Sequence, residues 1–244
     1  MEFTNTLKRW LDMRRTRIVQ AILDRISGKT YLEIGVEFGT TFLRIKAPRR
    51  IAVDPKFKIP SFLKRLSQSG RAETRYFEMT SDEFFSTQGP ILAQHPIDVA
   101  FVDGLHSYEQ SSKDVENCLD YLSERGVVIL HDCNPATWAV GLPAKSHAEA
   151  RSSKALNWAG EWSGDVWKTI AQLRSTRSDL EVFVLDCDHG VGIVRKGEPE
   201  RMSGLSIEDV QRLTYADLEA DRSNLLGLKE YAYFQIFLKR LAPV

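Results

Sequence analysis

The chain of 244 residues is 43% hydrophobic and 27% charged, and its 33 basic side chains are balanced by 33 acidic ones. That is long enough for one large domain with additions, and the neutral balance supplies no global field for nucleic acid or an acidic membrane. Cys118, Cys133 and Cys187 lack any CxxC spacing, which argues against a disulfide framework or zinc knuckle and fits a reducing cytoplasm. No apolar run approaches the ~18–20 residues of a membrane span, and the N-terminus lacks the apolar centre of a signal peptide. The expectation is a soluble, cytoplasmic protein.

Residues 5–26 carry Leu7, Trp10, Leu11, Ile18, Ile22 and Ile26 at helical spacing, with Gly28 as a stop. The basic residues there, Lys8, Arg9, Arg14, Arg15, Arg17 and Arg25, read as a solvated helix face. Strands and helices then alternate. Tyr31–Ile34 predicts a strand, Thr40–Ile45 a short helix, Arg50–Val53 a strand and Ser61–Ser69 a helix. Glu73–Phe77 predicts a third strand, and Ser81 or Asp82 caps the helix that follows. Ile97–Val102 is a fourth strand, Tyr108–Leu122 an amphipathic helix ending near Gly126, and Val127–Leu130 a fifth strand. This alternation predicts a doubly wound parallel sheet with helices on both faces.

Residues 133–163 show no period and read as a long functional loop. Asp165–Leu173 predicts a helix capped by Asp165. Leu180–Leu185 and Gly190–Val194 are close enough for an antiparallel hairpin, and Ser206–Arg212 and Asn224–Leu241 read as terminal helices. The last of these offers an apolar face, with Leu225, Leu226, Phe234 and Phe237, for a homodimer or another partner.

Two strands stop at carboxylates: Ile97–Val102 at Asp103, and Val127–Leu130 at His131-Asp132. His106 follows Asp103 by three residues. The carboxyl ends of strands form the ligand crevice of an open α/β sheet, so these groups are placed to bind a metal or move a proton. Magnesium favours such hard oxygen ligands. His106 has the unperturbed pKa, near ~6.5, that suits a general base. Capping or turn bonding would also explain a loop histidine here.

Glu33-Ile34-Gly35-Val36-Glu37-Phe38-Gly39 lies where the first strand turns toward a helix, and Asp54 ends the second strand. That acid stands near the ~20-residue offset expected for binding ribose hydroxyls. Glu37 and Thr40 occupy positions where a dinucleotide fingerprint needs glycine, which disfavours NAD. Packing alone would also account for the glycines; with Asp54, an adenosine-containing ligand is the favoured reading.

Taken together, E-x-G-x-x-x-G, Asp54, Ser81-Asp82, D-G-L-H and H-D-C resemble the class I S-adenosylmethionine-dependent methyltransferases. Within that class, residues 97–132 resemble the metal-dependent O-methyltransferase branch, with its sugar, macrolide and catechol-type members. The resemblance spans about residues 29–196. It implies a Rossmann-like, doubly wound seven-stranded sheet whose last strand is antiparallel.

The resemblance also implies S-adenosylmethionine bound by Glu33, Gly35, Gly39, Asp54, Ser81, Asp82 and Asp103. A divalent cation, magnesium, would be held by Asp103, Asp132 and His131. His106 would be the base, with Asp103 as its catalytic companion. Cys133 stands where catechol-type relatives have asparagine. The implied organisation is an N-terminal helix over 1–28, a methyltransferase domain over 29–196 with 133–163 as acceptor loop or lid, and a helical extension over 197–244.

The expected reaction is methyl transfer to a hydroxyl of a small molecule or sugar. The alternatives are a metal-independent methyltransferase using His106 alone, or a non-catalytic adenosine-ligand sensor or partner-binding protein.

Overall fold

The computed structural model describes residues 14–153 and 160–241. Leu7, Trp10, Leu11, Lys8 and Arg9 of the expected first helix lie outside the described residues, as does Trp158. Within them, α1 spans Arg14–Arg25, β1 Thr30–Ile34 and β2 Arg49–Asp54, with a short 3-10 turn at Phe42–Arg44 between the strands. Then come α2 (Ser61–Gln68), β3 (Glu73–Glu78), α3 (Ser81–Gln94), β4 (Ile97–Val102), α4 (Tyr108–Asp120) and β5 (Leu122–Leu130). The chain continues through α5 (His147–Ser152), α6 (Trp167–Thr176), β6 (Leu180–Asp186), β7 (Val191–Lys196) and α7 (Ile207–Arg212). It closes with α8 (Tyr215–Leu226), β8 (Leu228–Glu230) and α9 (Tyr233–Arg240).

The sheet order is β3-β2-β1-β4-β5-β7-β6-β8. Beyond the five parallel strands, β7 runs antiparallel to both β5 and β6. The sheet therefore has eight strands rather than the expected seven, and the last strand is parallel: Val184 of β6 pairs with Leu228 of β8. The extra strand breaks the expected helix over Asn224–Leu241. Gly227 adopts φ +56° and ends α8, which leaves the next three residues to pair with the exposed edge of β6.

Strand side chains alternate between two cores, as the twofold period of a strand requires. Leu32, Ala100, Val128 and Val182 face the layer of α3, α4, α6, α7 and α8, where Phe84, Val115, Trp167, Val210 and Leu218 pack. Tyr31, Val99, Ile129 and Phe183 face the other layer, with Ile18 and Ile22 of α1, Phe42, and Phe234 and Phe237 of α9. Leu225, Leu226, Phe234 and Phe237 are thus consumed by the protein's own core. Of the described residues on α9, Ile236 is the exposed large apolar side chain.

Three local expectations are corrected. Thr80, not Ser81 or Asp82, caps α3, through a capping box with Glu83. The helix after β4 stops at Asp120, and Gly126 lies inside β5, next to the register shift between Ile97 and Val99 of β4. Asp165 does not cap α6, whose N-cap is Val166 with no side-chain bond. Instead its Oδ1 accepts the Tyr108 backbone N–H at 2.8 Å, tying the long loop to the start of α4.

Candidate active site at the carboxyl ends of the strands

A cavity of about 770 Å³ opens over the switch point between β1 and β4, where strand order reverses. Each strand end contributes a polar side chain, because an apolar strand has nothing to gain by continuing past the core. Register sets the heights. Val102 pairs with Leu130, so the next residues, Asp103 and His131, emerge side by side. His131 Nδ1 stands 3.2 Å from Asp103 Oδ1 and 3.2 Å from Asp132 Oδ2. Asp132 adopts a left-handed backbone, φ +60°, a strained choice for a non-glycine residue that keeps its carboxylate beside its neighbour's ring.

Asp103, His131 and Asp132 each offer a ligand atom, and the three atoms lie within 4.8 Å of one another. The His131 Nδ1 is buried with no well-aligned hydrogen-bond partner, despite the nearby oxygens. A buried ring nitrogen without a partner is costly, and two carboxylates plus an imidazole are a donor set suited to a divalent cation. The residues therefore fit the metal that the fold family implies. Cys133 does not join them. Its thiol is buried and donates to the carbonyls of Leu130 and His131, away from the trio.

His106 reaches the same carboxylates from the opposite side. Its Nε2 is 3.5 Å from Asp103 Oδ1 and 3.3 Å from Asp132 Oδ2. Its Nδ1–H donates to the Trp162 carbonyl at 2.6 Å, which directs Nε2 toward the cavity. The Trp162 ring lies 5.3 Å from the imidazole and covers it. Gly164, at φ +57°, lets this loop close down, since a Cβ there would sit 1.8 Å from the His106 carbonyl oxygen. Ser163 completes the loop's grip by donating to Asp132 Oδ1 at 2.9 Å. Burial works against charge on His106, but Asp103 and Asp132 outweigh it and push its pKa up to about 9.

At the other end of the cavity, Gly35 turns the chain at φ +82°, and a Cβ there would meet the Asp103 carbonyl oxygen at 2.0 Å. Glu33 is buried beneath this turn, hydrogen-bonded by the Tyr31 hydroxyl, and burial pushes its carboxyl up to about 8. Asp54 accepts the backbone N–H groups of Glu37 and Lys56 at 2.8 and 2.7 Å. Ser81 and Asp82 line the cavity and are bridged by the Gln110 amide, which also reaches buried Asp114. Gly39 is absent from the cavity lining; it holds the turn through its bond to the Val36 carbonyl.

Sequence reasoning missed Arg15, Asp114 and Asp188. Arg15 leaves the supposed solvated face of α1 to line the cavity, pairing with Asp188 Oδ1 at 3.2 Å and approaching His131 Nε2 at 3.2 Å. Asp188 sits in the β6–β7 turn with left-handed φ, which puts a further strand end into the site. No local motif signals either residue. Of the tryptophans, Trp162 lines the cavity, Trp167 is core and Trp138 is exposed. His189, given no role from the sequence, also lines the cavity.

Residues 32–133 match the family model described as a methyltransferase domain. The chain carries a methyltransferase domain. Solved structures agree at the level of fold. The O-methyltransferase TomG from Streptomyces achromogenes, solved with SAM, is 15% identical with a TM-score of 0.51, the match covering 75% of this chain and 79% of TomG. The O-methyltransferase from Bacillus cereus, solved with SAH, is 13% identical with a TM-score of 0.50, covering 76% of this chain and 82% of the other. No curated protein matches the chain. The methyltransferase domain thus has the class I S-adenosylmethionine-dependent fold at low sequence identity, and among the described residues no helix is long and apolar enough to cross a membrane.

Proposed function

We propose that the protein transfers a methyl group from S-adenosylmethionine to a hydroxyl of a small molecule or sugar, with a divalent cation assisting. The observation that carries this reading is the convergence of Asp103, His131 and Asp132, with His131 Nδ1 buried and unpartnered beside two carboxylates. When bound, the cofactor supplies an electrophilic methyl group and the cation supplies Lewis-acid polarisation and orientation of the acceptor oxygen.

The chain's own residues do the rest. Asp103, Asp132 and His131 hold the cation. Asp54 retains acceptor capacity for ribose hydroxyls, because a carboxylate offers about four lone-pair sites and two are used by backbone N–H groups. Ser81 and Asp82 stand at the adenine end, Glu33, Gly35 and Gly39 shape the methionine end, and Asp103 lies between cofactor and acceptor. His106 Nε2 takes the hydroxyl proton, and the Trp162 carbonyl keeps the opposite nitrogen protonated through that step. Trp162 and the 133–163 loop shield the site from water.

The test is methyl transfer to a panel of hydroxylated acceptors, before and after chelation, with wild type and His106→Ala. Chelation is expected to abolish turnover, and His106→Ala to lower it about 100- to 10,000-fold with S-adenosylhomocysteine affinity unchanged. Full activity after complete metal removal would instead favour a metal-independent enzyme. Tight cofactor binding without transfer to any acceptor would favour a sensor.

A further inference from the structure

Arg15 comes to the cavity from outside the sheet. It sits one residue into the described part of α1, and 173 residues separate it from Asp188, its partner in an ion pair. Its backbone N–H and Nη1 both bond the Asp188 carboxylate, at 3.1 and 3.2 Å, and its Nε donates to Thr41 Oγ1 at 3.3 Å. Among the described residues, Nη2 has no hydrogen-bond partner. Arg15 is also the one lysine or arginine among the described residues lining the cavity. Every other ionisable group there is a carboxylate or an imidazole, including Glu33, Asp54, Asp103 and Asp132.

A cavity of that charge pattern has one place for an anionic group. Arg15 lies near enough to Glu33 for its charge to act on that carboxyl. Thr41 and Gly35 line the cavity beside both. A cation and a buried acid therefore face one cavity end, a pairing matched to a zwitterion: carboxylate toward the guanidinium, ammonium toward the acid. We infer that Arg15 and Glu33 form a subsite for the amino-acid end of the cofactor, with Arg15 binding its carboxylate. The inference rests on the S-adenosylmethionine reading above. It also makes α1 part of the binding site, so that the fold's first helix is read out in cofactor affinity.

Two probes that share the adenosine moiety separate this role from a structural one. S-adenosylhomocysteine carries the amino-acid end, and 5′-methylthioadenosine lacks it. Calorimetric titration of the full chain with each is expected to show Arg15→Gln weakening S-adenosylhomocysteine about 10- to 100-fold, the range of a charge-assisted hydrogen bond, while leaving methylthioadenosine within about twofold. Arg15→Lys, which keeps the charge, is expected to recover part of the loss. Equal losses for both probes would assign Arg15 a purely structural role and overturn the subsite. An unchanged S-adenosylhomocysteine affinity with a raised acceptor KM would overturn it too, by moving the anion to the acceptor. Wild-type protein that binds methylthioadenosine and S-adenosylhomocysteine equally would also sink it. If wild type binds neither probe, the cofactor reading itself falls, and the subsite with it.

Discussion

His131 Nδ1 and Asp103 Oδ1 meet at 3.2 Å although they extend two different strands, and the pairing of Val102 with Leu130 is what sets them level. The same nitrogen is equally close to Asp132 Oδ2, so one imidazole edge faces two carboxylates. Burial opposes charge on the ring, yet Asp132 and Asp103 outweigh it and hold His131 well above the usual histidine range. A cation takes the place of that proton when the ring acts as a ligand.

Replacing one member of the trio is therefore expected to remove metal dependence rather than cofactor binding. His131→Ala and Asp132→Asn should each lower cation-stimulated turnover by at least about 100-fold, in line with loss of a group acting in the transition state. S-adenosylhomocysteine affinity should stay within about threefold, since neither residue is assigned to the cofactor. Calorimetry on both variants checks this; parallel loss of cofactor affinity would place the trio in the wrong half of the site.

Cation binding should be linked to protons through His106. Its pKa is pushed up to about 9, so below that value the ring is charged and already neutralises Asp103 and Asp132. A cation must displace that charge, so affinity should rise as pH increases toward 9 and then flatten. The log of the association constant for Mg²⁺ should rise about one unit more per pH unit in wild type than in His106→Ala. Identical slopes in the two proteins would show that His106 does not compete for the carboxylates.

Glu33 supplies a stability test. Its carboxyl has an ordinary value of 4.5 and burial pushes it up to about 8 in the folded chain. The folded state therefore binds this proton more tightly than the unfolded state does. The associated stability is complete below about 4.5 and is lost as pH rises through about 8. Glu33→Gln stays neutral, so its melting temperature without ligand should fall less between pH 6 and pH 9 than that of wild type. The raised histidines act in the same direction in both proteins and leave the comparison intact. A larger fall in the variant would contradict the assignment.

Cys133→Ala tests whether the residue following Asp132 belongs to the cation site. The thiol is fully buried, lies against Gly192 and donates into the strand end. The substitution should cost about 1 kcal/mol of stability, as small core truncations do, and leave Mg²⁺ affinity within about twofold. A tenfold loss of Mg²⁺ affinity without destabilisation would return Cys133 to the metal.

The strand ends carrying Asp54, Asp103 and Asp132 were legible because an apolar run stopping at an acid is a local pattern, and so was the turn at Gly35. The cap at Thr80 escaped notice for the opposite reason: three polar residues in a row each look like a cap, and only the bond to Glu83 separates them. Asp165 misled similarly. It stands where a cap for α6 belongs, but the Tyr108 N–H it satisfies is 57 residues away.

By itself, the sequence determined the alternation of strands and helices, the glycine turn after β1, and the acids and histidines at two strand ends. These follow from side-chain periodicity and from the need to end a buried strand in something polar. The tertiary structure alone decided that Arg15 and Asp188 belong to the site, that Cys133 faces the core, that β8 extends the sheet, and that His131 Nδ1 lacks a partner. Each of these depends on strand register or on a contact between distant segments, and such contacts are set by how the two cores pack, which no local window contains.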